Sequence, residues 1–323
     1  MNNIAEYCIA EHNIRVVFSA NDSNNPKLTT SFEPFRTEDS NGDFLFTLSV
    51  DDTLKPIAKE HLNHIDTFDT GNGDTIVDQL DNGGYQYIIK DIEGRSCCLL
   101  QTNKDFSEGK CALRGNEQMR HFGLNNALMM LYAFRSSFFQ TLLIHASLVR
   151  NNGYGYAFIA KSGTGKSTHT QLWLKHIPGS DLMNDDNPIV RVIDGQAFIY
   201  GSPWSGKTPC YRNVKAPLGA ITQIIRAKQN SMERLSPTIA FTYLLPACST
   251  MKWDNTVFRN TYDTVIKLIE SAPYIYALHC LPDKEAAEVS YKTLSATHQH
   301  STSQATTPPC NPANQINQHG DNQ

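Results

Sequence analysis

The sequence predicts an α/β protein in which a smaller β-rich module precedes a domain where strands and helices alternate. Three observations carry this reading. Residues 4–111 hold short β-compatible runs separated by turn residues, whereas beyond Leu142 apolar runs alternate with segments whose apolar residues recur every three or four positions. Where one such run meets one such segment lies Ala160-Lys161-Ser162-Gly163-Thr164-Gly165-Lys166-Ser167-Thr168, the layout of a loop that wraps phosphate.

In the N-terminal module, residues 1–115, the runs Ile14 to Phe18, Phe44 to Val50 and Tyr85 to Ile89 read as strands. Asn41-Gly42-Asp43, Gly71-Asn72-Gly73-Asp74 and Asn82-Gly83-Gly84 separate them as turns. No constellation of catalytic residues stands in this module. A connecting helix is expected over residues 116–141, with Leu124, Leu128, Leu131, Phe134 and Phe138 on one face. Leu142 to Val149, the turn Asn151-Asn152-Gly153 and Tyr154 to Ile159 then form a hairpin aimed at the phosphate loop.

The helix that the loop opens is placed at Lys166 to His176, and Pro178-Gly179 stops it. A short strand through Leu182-Met183-Asn184 delivers Asp185-Asp186. Further strands are expected at Gln196 to Ile199, Ala220 to Ile225 and Tyr274 to Cys280. Val257, Phe258, Tyr262, Val265, Ile266 and Ile269 mark one helix, and Asp283 to Leu294 the last. Residues 142–295 thus make the second domain. Residues 296–323 are rich in Ser, Thr, Gln, Asn, His and Pro and read as a disordered tail, its His298, His300 and His319 solvated.

Composition narrows the partners. A formal net charge of -4, with both signs spread along the chain, provides no basic stripe for a nucleic-acid backbone. No segment approaches the roughly 18 uninterrupted apolar residues of a membrane span. Met1 to Glu6 lacks a basic start followed by an apolar core, so it does not read as a secretory signal. The eight cysteines show no C-x-x-C pairs and no metal-ligand rhythm, which fits reduced, buried thiols in a cytoplasmic protein.

The phosphate loop assigns chemistry residue by residue. Ser162, Gly163, Thr164 and Gly165 are small enough for backbone N–H groups to turn inward around phosphate oxygens. Lys166 brings a point charge to the outer phosphates, Ser167 offers a hydroxyl to Mg²⁺, and Thr168 follows in the first helical turn. A bound nucleotide such as ATP is the expectation; a plain Gly-rich turn between strand and helix is the alternative. Mg²⁺ takes one or two protein carboxylates and keeps its waters, so one of Asp185 and Asp186 suits the metal. The other is then free to accept the proton of an attacking hydroxyl. His145 stands in an apolar strand beside the loop strand and is a candidate for the active site. His169 in the loop helix is expected to pack or to face solvent.

A second small-residue stretch, Tyr200 to Thr208, reads as a loop whose Ser202, Trp204 and Lys207 close over substrate or γ-phosphate. Arg226, just past a strand, is placed to face a phosphate.

From Ile144 to Leu294 these motifs resemble the HPr kinase/phosphorylase group and its relatives of the ATP-dependent phosphoenolpyruvate carboxykinase type. The resemblance rests on His145-Ala146-Ser147, on Gly155 to Ile159 entering Ser162-Gly163-Thr164-Gly165-Lys166-Ser167, on the aspartate pair, and on Gly201-Ser202-Pro203-Trp204-Ser205-Gly206-Lys207. It is similar above all to HPr-kinase-related bacterial proteins, and it implies a phosphate-loop domain with a mixed sheet like the HPr kinase C-terminal domain. It further implies that Lys166 and Ser167 hold phosphates and Mg²⁺, that Asp186 assists the metal and that Asp185 is the base toward a hydroxyl. The implied activity is transfer of the γ-phosphoryl group of ATP to a peptide, a protein serine or a small molecule. Three features depart from the pattern: Ala160 stands where the first Gly is usual, the N-terminal module is not the regulatory domain of true HPr kinases, and the loop through which they form hexamers and bind HPr is not recognisable. The acceptor is left as a hydroxyl-bearing molecule and a homo-oligomer stays open. Two other readings are a non-catalytic nucleotide-binding module of a peptide-modification system and a carboxykinase, which would need further metal ligands and carboxylate-binding arginines.

Overall fold

The computed structural model describes residues 3–303 apart from 20–22, 39, 41, 207, 272 and 273. Two mixed sheets organise an α/β fold. The first is built from β1 (Asn3–Ile9), β2 (His12–Phe18), β3 (Phe46–Val50), β4 (Leu62–Asp69), β5 (Asp74–Leu80), β6 (Tyr85–Lys90), β7 (Ser96–Thr102) and β8 (Glu108–Leu113), in the order β1-β2-β3-β8-β7-β6-β5-β4. Alternation dictates it: β1, β2 and β3 bury every second residue, which puts Tyr7, Val16 and Leu48 on one face.

That face is covered by α1 (Glu117–Ser136), whose Asn116 side chain caps the N-terminus by accepting from the Met119 N–H at 3.0 Å. Leu124, Leu128 and Leu131 sit at the expected helical spacing and all join the first core, so α1 belongs to this module's packing rather than merely linking two modules. The helix ends before Phe138. The chain tightens into a 3₁₀ turn and leaves through Gln140 at φ 51°, so Phe138 falls off the helical face and is exposed.

The second sheet contains β9 (Thr141–Leu143), β10 (Ala146–Asn151), β11 (Tyr154–Ile159), β12 (Asp181–Asp186), β13 (Ile189–Ile193), β14 (Gln196–Tyr200), β15 (Lys215–Arg226), β16 (Ser231–Arg234) and β17 (Ile275–Cys280). Its main path is β12-β10-β11-β15-β14-β13-β9, and β17 pairs with β15 and β16. β10 and β11 form the expected antiparallel hairpin, whereas β11 with β15 and β15 with β17 are parallel. β15 is twice as long as the sequence suggests: its first residues pair with β14, its middle with β11 and its last with β17, so one strand serves three neighbours.

Helices cover both faces. α2 (Lys166–His176) and α5 (Lys284–Ser303) pack on one side through Trp173, Ala286, Ala287 and Leu294. α3 (Pro237–Ala247) and α4 (Asn255–Ser271) pack on the other through Ala240, Leu244, Val265 and Leu268. α2 has the bounds expected from sequence. α5 runs to Ser303, past the expected start of a tail at residue 296, because extending a helix already nucleated by packed residues needs no new nucleus. Residues 304–323 of that tail lie outside the described residues. No described helix is long and apolar enough to cross a membrane. The seven described cysteines are free thiols, five of them buried.

Candidate active site

The C-terminal end of β11 releases the chain into the phosphate loop, and α2 begins at its far side. Gly163 and Gly165 take φ of 73° and 127°, backbone that side chains rarely adopt, and the space beside both is open. Gly165 is the N-cap of α2 and no side chain caps it, so the first-turn N–H groups are left to an external partner. An anion is the partner such a helix start favours. Ser162, Gly163, Ser167 and Thr168 are exposed, Thr164 and Gly165 half-buried, and Lys166 buried.

Lys166, Ser167, Asp185, Asp186 and His145 converge, though 41 residues separate the first of them from the last along the chain. The topology does this: β12 lies beside β10 with Ser147 opposite Asp185 and Ala146 opposite Asp186, which puts the acidic pair next to His145. The Ser167 hydroxyl donates to Asp185 Oδ1 at 2.8 Å. Lys166 Nζ lies 2.6 Å from His145 Nε2 and donates to the Ala160 carbonyl at 3.2 Å. On its other side His145 Nδ1 is 3.1 Å from Asp186 Oδ1. An ammonium only donates, so Nε2 accepts and the ring hydrogen sits on Nδ1, pointing at the carboxylate. Burial lowers the Lys166 pKa below the ordinary lysine value, and the carboxylates of Asp186 and Asp185 oppose that shift.

The two aspartates differ in setting. Asp185 is 3% exposed, while the Asp186 side chain is 35% exposed and also accepts from the Asn187 side-chain amide at 2.8 Å. Asp186 has φ 139°, a conformation costly for a residue with a Cβ. Both Asp186→Gly and Asp186→Asn remove the carboxylate charge beside His145, and only glycine relieves the backbone. Asp186→Gly is therefore expected to be more stable than Asp186→Asn by about 1 kcal/mol in urea unfolding. Equal or lower stability of the glycine variant would mean that the backbone here stores no strain.

Hard oxygen donors suit Mg²⁺. The Ser167 hydroxyl and the buried Asp185 carboxylate stand 2.8 Å apart, and a desolvated carboxylate is stabilised by a cation. Among the described residues no group of three or more His, Cys, Asp or Glu is placed to hold a metal.

Two expected contacts are corrected. Trp204 does not face a substrate: it is 2% exposed, with its ring 5.6 Å from Phe32 and 5.2 Å from Tyr132, and its indole N–H donates to the Asn125 carbonyl at 3.3 Å. A large aromatic in a loop is drawn to whichever core it reaches, and here that is the core of the N-terminal module. Ser202 is fully buried and donates to the Asn187 carbonyl at 2.6 Å. Arg226 faces the phosphate loop itself, donating from Nε to the Thr164 carbonyl at 3.1 Å and from Nη2 to the Gly163 carbonyl. Lys207 lies outside the described residues. His169 packs beneath α5, with Ser290 Oγ at 3.1 Å from Nε2, and burial pushes its pKa down to about 4.

The loop after β14 has a different task from covering substrate. β12 pairs with β10 on one side only, and this loop lies along its other side. The Gly206 N–H donates to the Asp185 carbonyl, Asp186 bridges to Ser205, and the Asn184 amide donates to the Trp204 carbonyl at 3.0 Å. Gly201 is required there because a Cβ would stand 2.1 Å from the Arg212 carbonyl oxygen. Sequence reading missed this support and also Asn184, whose buried amide ties the acidic strand to the loop. No family model matches the chain, and no curated protein matches it.

Proposed function

We propose that the chain is an ATP-dependent phosphotransferase that moves the γ-phosphoryl group to a hydroxyl of a peptide, a protein serine or a small molecule, on a phosphate-loop domain like that of HPr kinase. The observation that carries this is the convergence of Lys166, Ser167, Asp185, Asp186 and His145 at the uncapped start of α2. Phosphoryl transfer asks little covalent chemistry of a protein; it needs positioned charge at the transferring group and a group that orients the nucleophile. Mg²⁺ would supply charge neutralisation on the phosphates, held from Ser167 and one carboxylate. Lys166, kept in place by His145, is within the loop that cradles those phosphates. The acceptor oxygen bonds to the γ-phosphorus, the bond to the β–γ bridging oxygen breaks, ADP leaves, and the hydroxyl proton passes to a carboxylate.

The resemblance gives that proton to Asp185 and the metal to Asp186, but the side chains favour the reverse. Asp185 is buried against the Ser167 hydroxyl, as a metal-side carboxylate would be, whereas Asp186 is open to an incoming acceptor and is oriented by His145. Asp186→Asn is then expected to lower transfer by about 10²–10⁴-fold while ATP-Mg²⁺ still binds. Asp185→Asn is expected to erase the Mg²⁺-dependent part of nucleotide affinity. Calorimetry with and without Mg²⁺, alongside phosphate transfer from radiolabelled ATP to candidate acceptors, separates the two. The opposite pattern returns the base to Asp185. ATP-Mg²⁺ binding with no phosphate leaving ATP in any acceptor pool would make this a nucleotide-binding recognition module instead.

A further inference from the structure

We propose that Arg226 is a positioning residue that clamps the phosphate loop from outside, acting on a nucleotide through the loop rather than by touching phosphate. The proposal rests on the reading of the loop as a nucleotide site. Arg226 ends β15, which runs parallel to β11 with Gln223 opposite Ile159, so it emerges from the same sheet edge as the loop. Its exposed side chain turns back to the loop, and Nε and Nη2 donate to the carbonyls of Thr164 and Gly163.

The consequence follows from peptide geometry. In a planar trans peptide the C=O and the next residue's N–H point in opposite directions. A carbonyl held by Arg226 therefore turns the next N–H away from the guanidinium: that of Thr164 meets the Lys161 carbonyl, and that of Gly165 turns to the same far side, which the proposal takes as the cradle. A cationic donor on the carbonyl also polarises that peptide and strengthens its N–H as a donor. The loop needs such a tether. A side chain at Gly163 or Gly165 would meet nothing within 4 Å, and the Thr164 N–H to the Lys161 carbonyl, at 3.1 Å, is a bond within the loop. Lys166 holds the Ala160 carbonyl, but that ammonium is the group expected to serve phosphates. A guanidinium spans two carbonyls with a rigid fork, which a lysine ammonium does not reproduce.

The test uses the full chain with Arg226→Ala and Arg226→Lys, titrated with ATP and with ADP by calorimetry, and hydrogen exchange of the loop amides without nucleotide. The clamp predicts that Arg226→Ala weakens ATP and ADP by the same factor, about tenfold, as expected for charge-assisted bonds discounted for exposure. It predicts that lysine does not restore affinity, and that the Gly163–Lys166 amides exchange about tenfold faster in the nucleotide-free variant. A loss confined to ATP, or full rescue by lysine, would make Arg226 a direct phosphate ligand and overturn the proposal. Unchanged loop exchange would overturn it too. If the wild-type chain bound neither nucleotide, the nucleotide reading would fall while the exchange measurement still decided the clamp.

Discussion

Lys166→Ala is expected to lower phosphoryl transfer by about a thousandfold, the scale seen when a preorganised charge is removed from a transferring phosphoryl group. The variant should fold as well as the wild type or better. Burial depresses the Lys166 pKa, so folding works against this charge rather than drawing on it, and its removal relieves a cost that the site bears for function. The outcome to look for is loss of transfer from labelled ATP together with an unchanged or raised melting temperature. Transfer within tenfold of wild type would remove Lys166 from the mechanism. A fall in melting temperature matching the loss of activity would recast it as a structural residue tied to His145 and Ala160.

Trp204→Ala is expected to destabilise the fold by about 3–5 kcal/mol, the range for emptying a large aromatic site in a packed core. The indole fills space against Phe32 and Tyr132 and donates to the Asn125 carbonyl, so truncation leaves a cavity and removes that tie to α1. Denaturant unfolding should show a lower midpoint with an unchanged slope. The residual folded protein should also transfer phosphate poorly, because the same loop holds Asp185 and Asp186 through Gly206 and Ser205. A change below about 1 kcal/mol would mean that Trp204 is not the anchor its burial indicates.

What the sequence revealed was local. The phosphate loop, the bounds of α2, the β10–β11 hairpin and the strand that delivers Asp185-Asp186 all have turn chemistry or periodicity that neighbours in sequence determine. The expected strand Leu142 to Val149 is broken into β9 and β10 with His145 at the break, and His145 could still be placed beside the loop because β10 precedes the loop strand by one hairpin. α3 was not legible: Pro-Thr-Ile-Ala-Phe-Thr-Tyr-Leu-Leu-Pro-Ala is apolar nearly all round, so no period of 3.6 stands out, although Ser236 before Pro237 is a start signal. β13 was missed despite Asp194-Gly195, the two-residue turn that joins it to β14. A loop tryptophan and a strand-end arginine, such as Trp204 and Arg226, carry no local mark of what they will touch. Their partners, Phe32, Tyr132 and the loop carbonyls, are 60 or more residues away.

The strand bearing the acidic pair is thus supported by a loop whose heaviest side chain is seated in the other module. The N-terminal sheet is accordingly no detachable passenger. A mutation or partner that loosens its core is expected to disturb the acidic edge of the candidate site with the Ala160–Thr168 loop untouched, and any attempt to trim this protein to its second domain removes the socket in which Trp204 is seated.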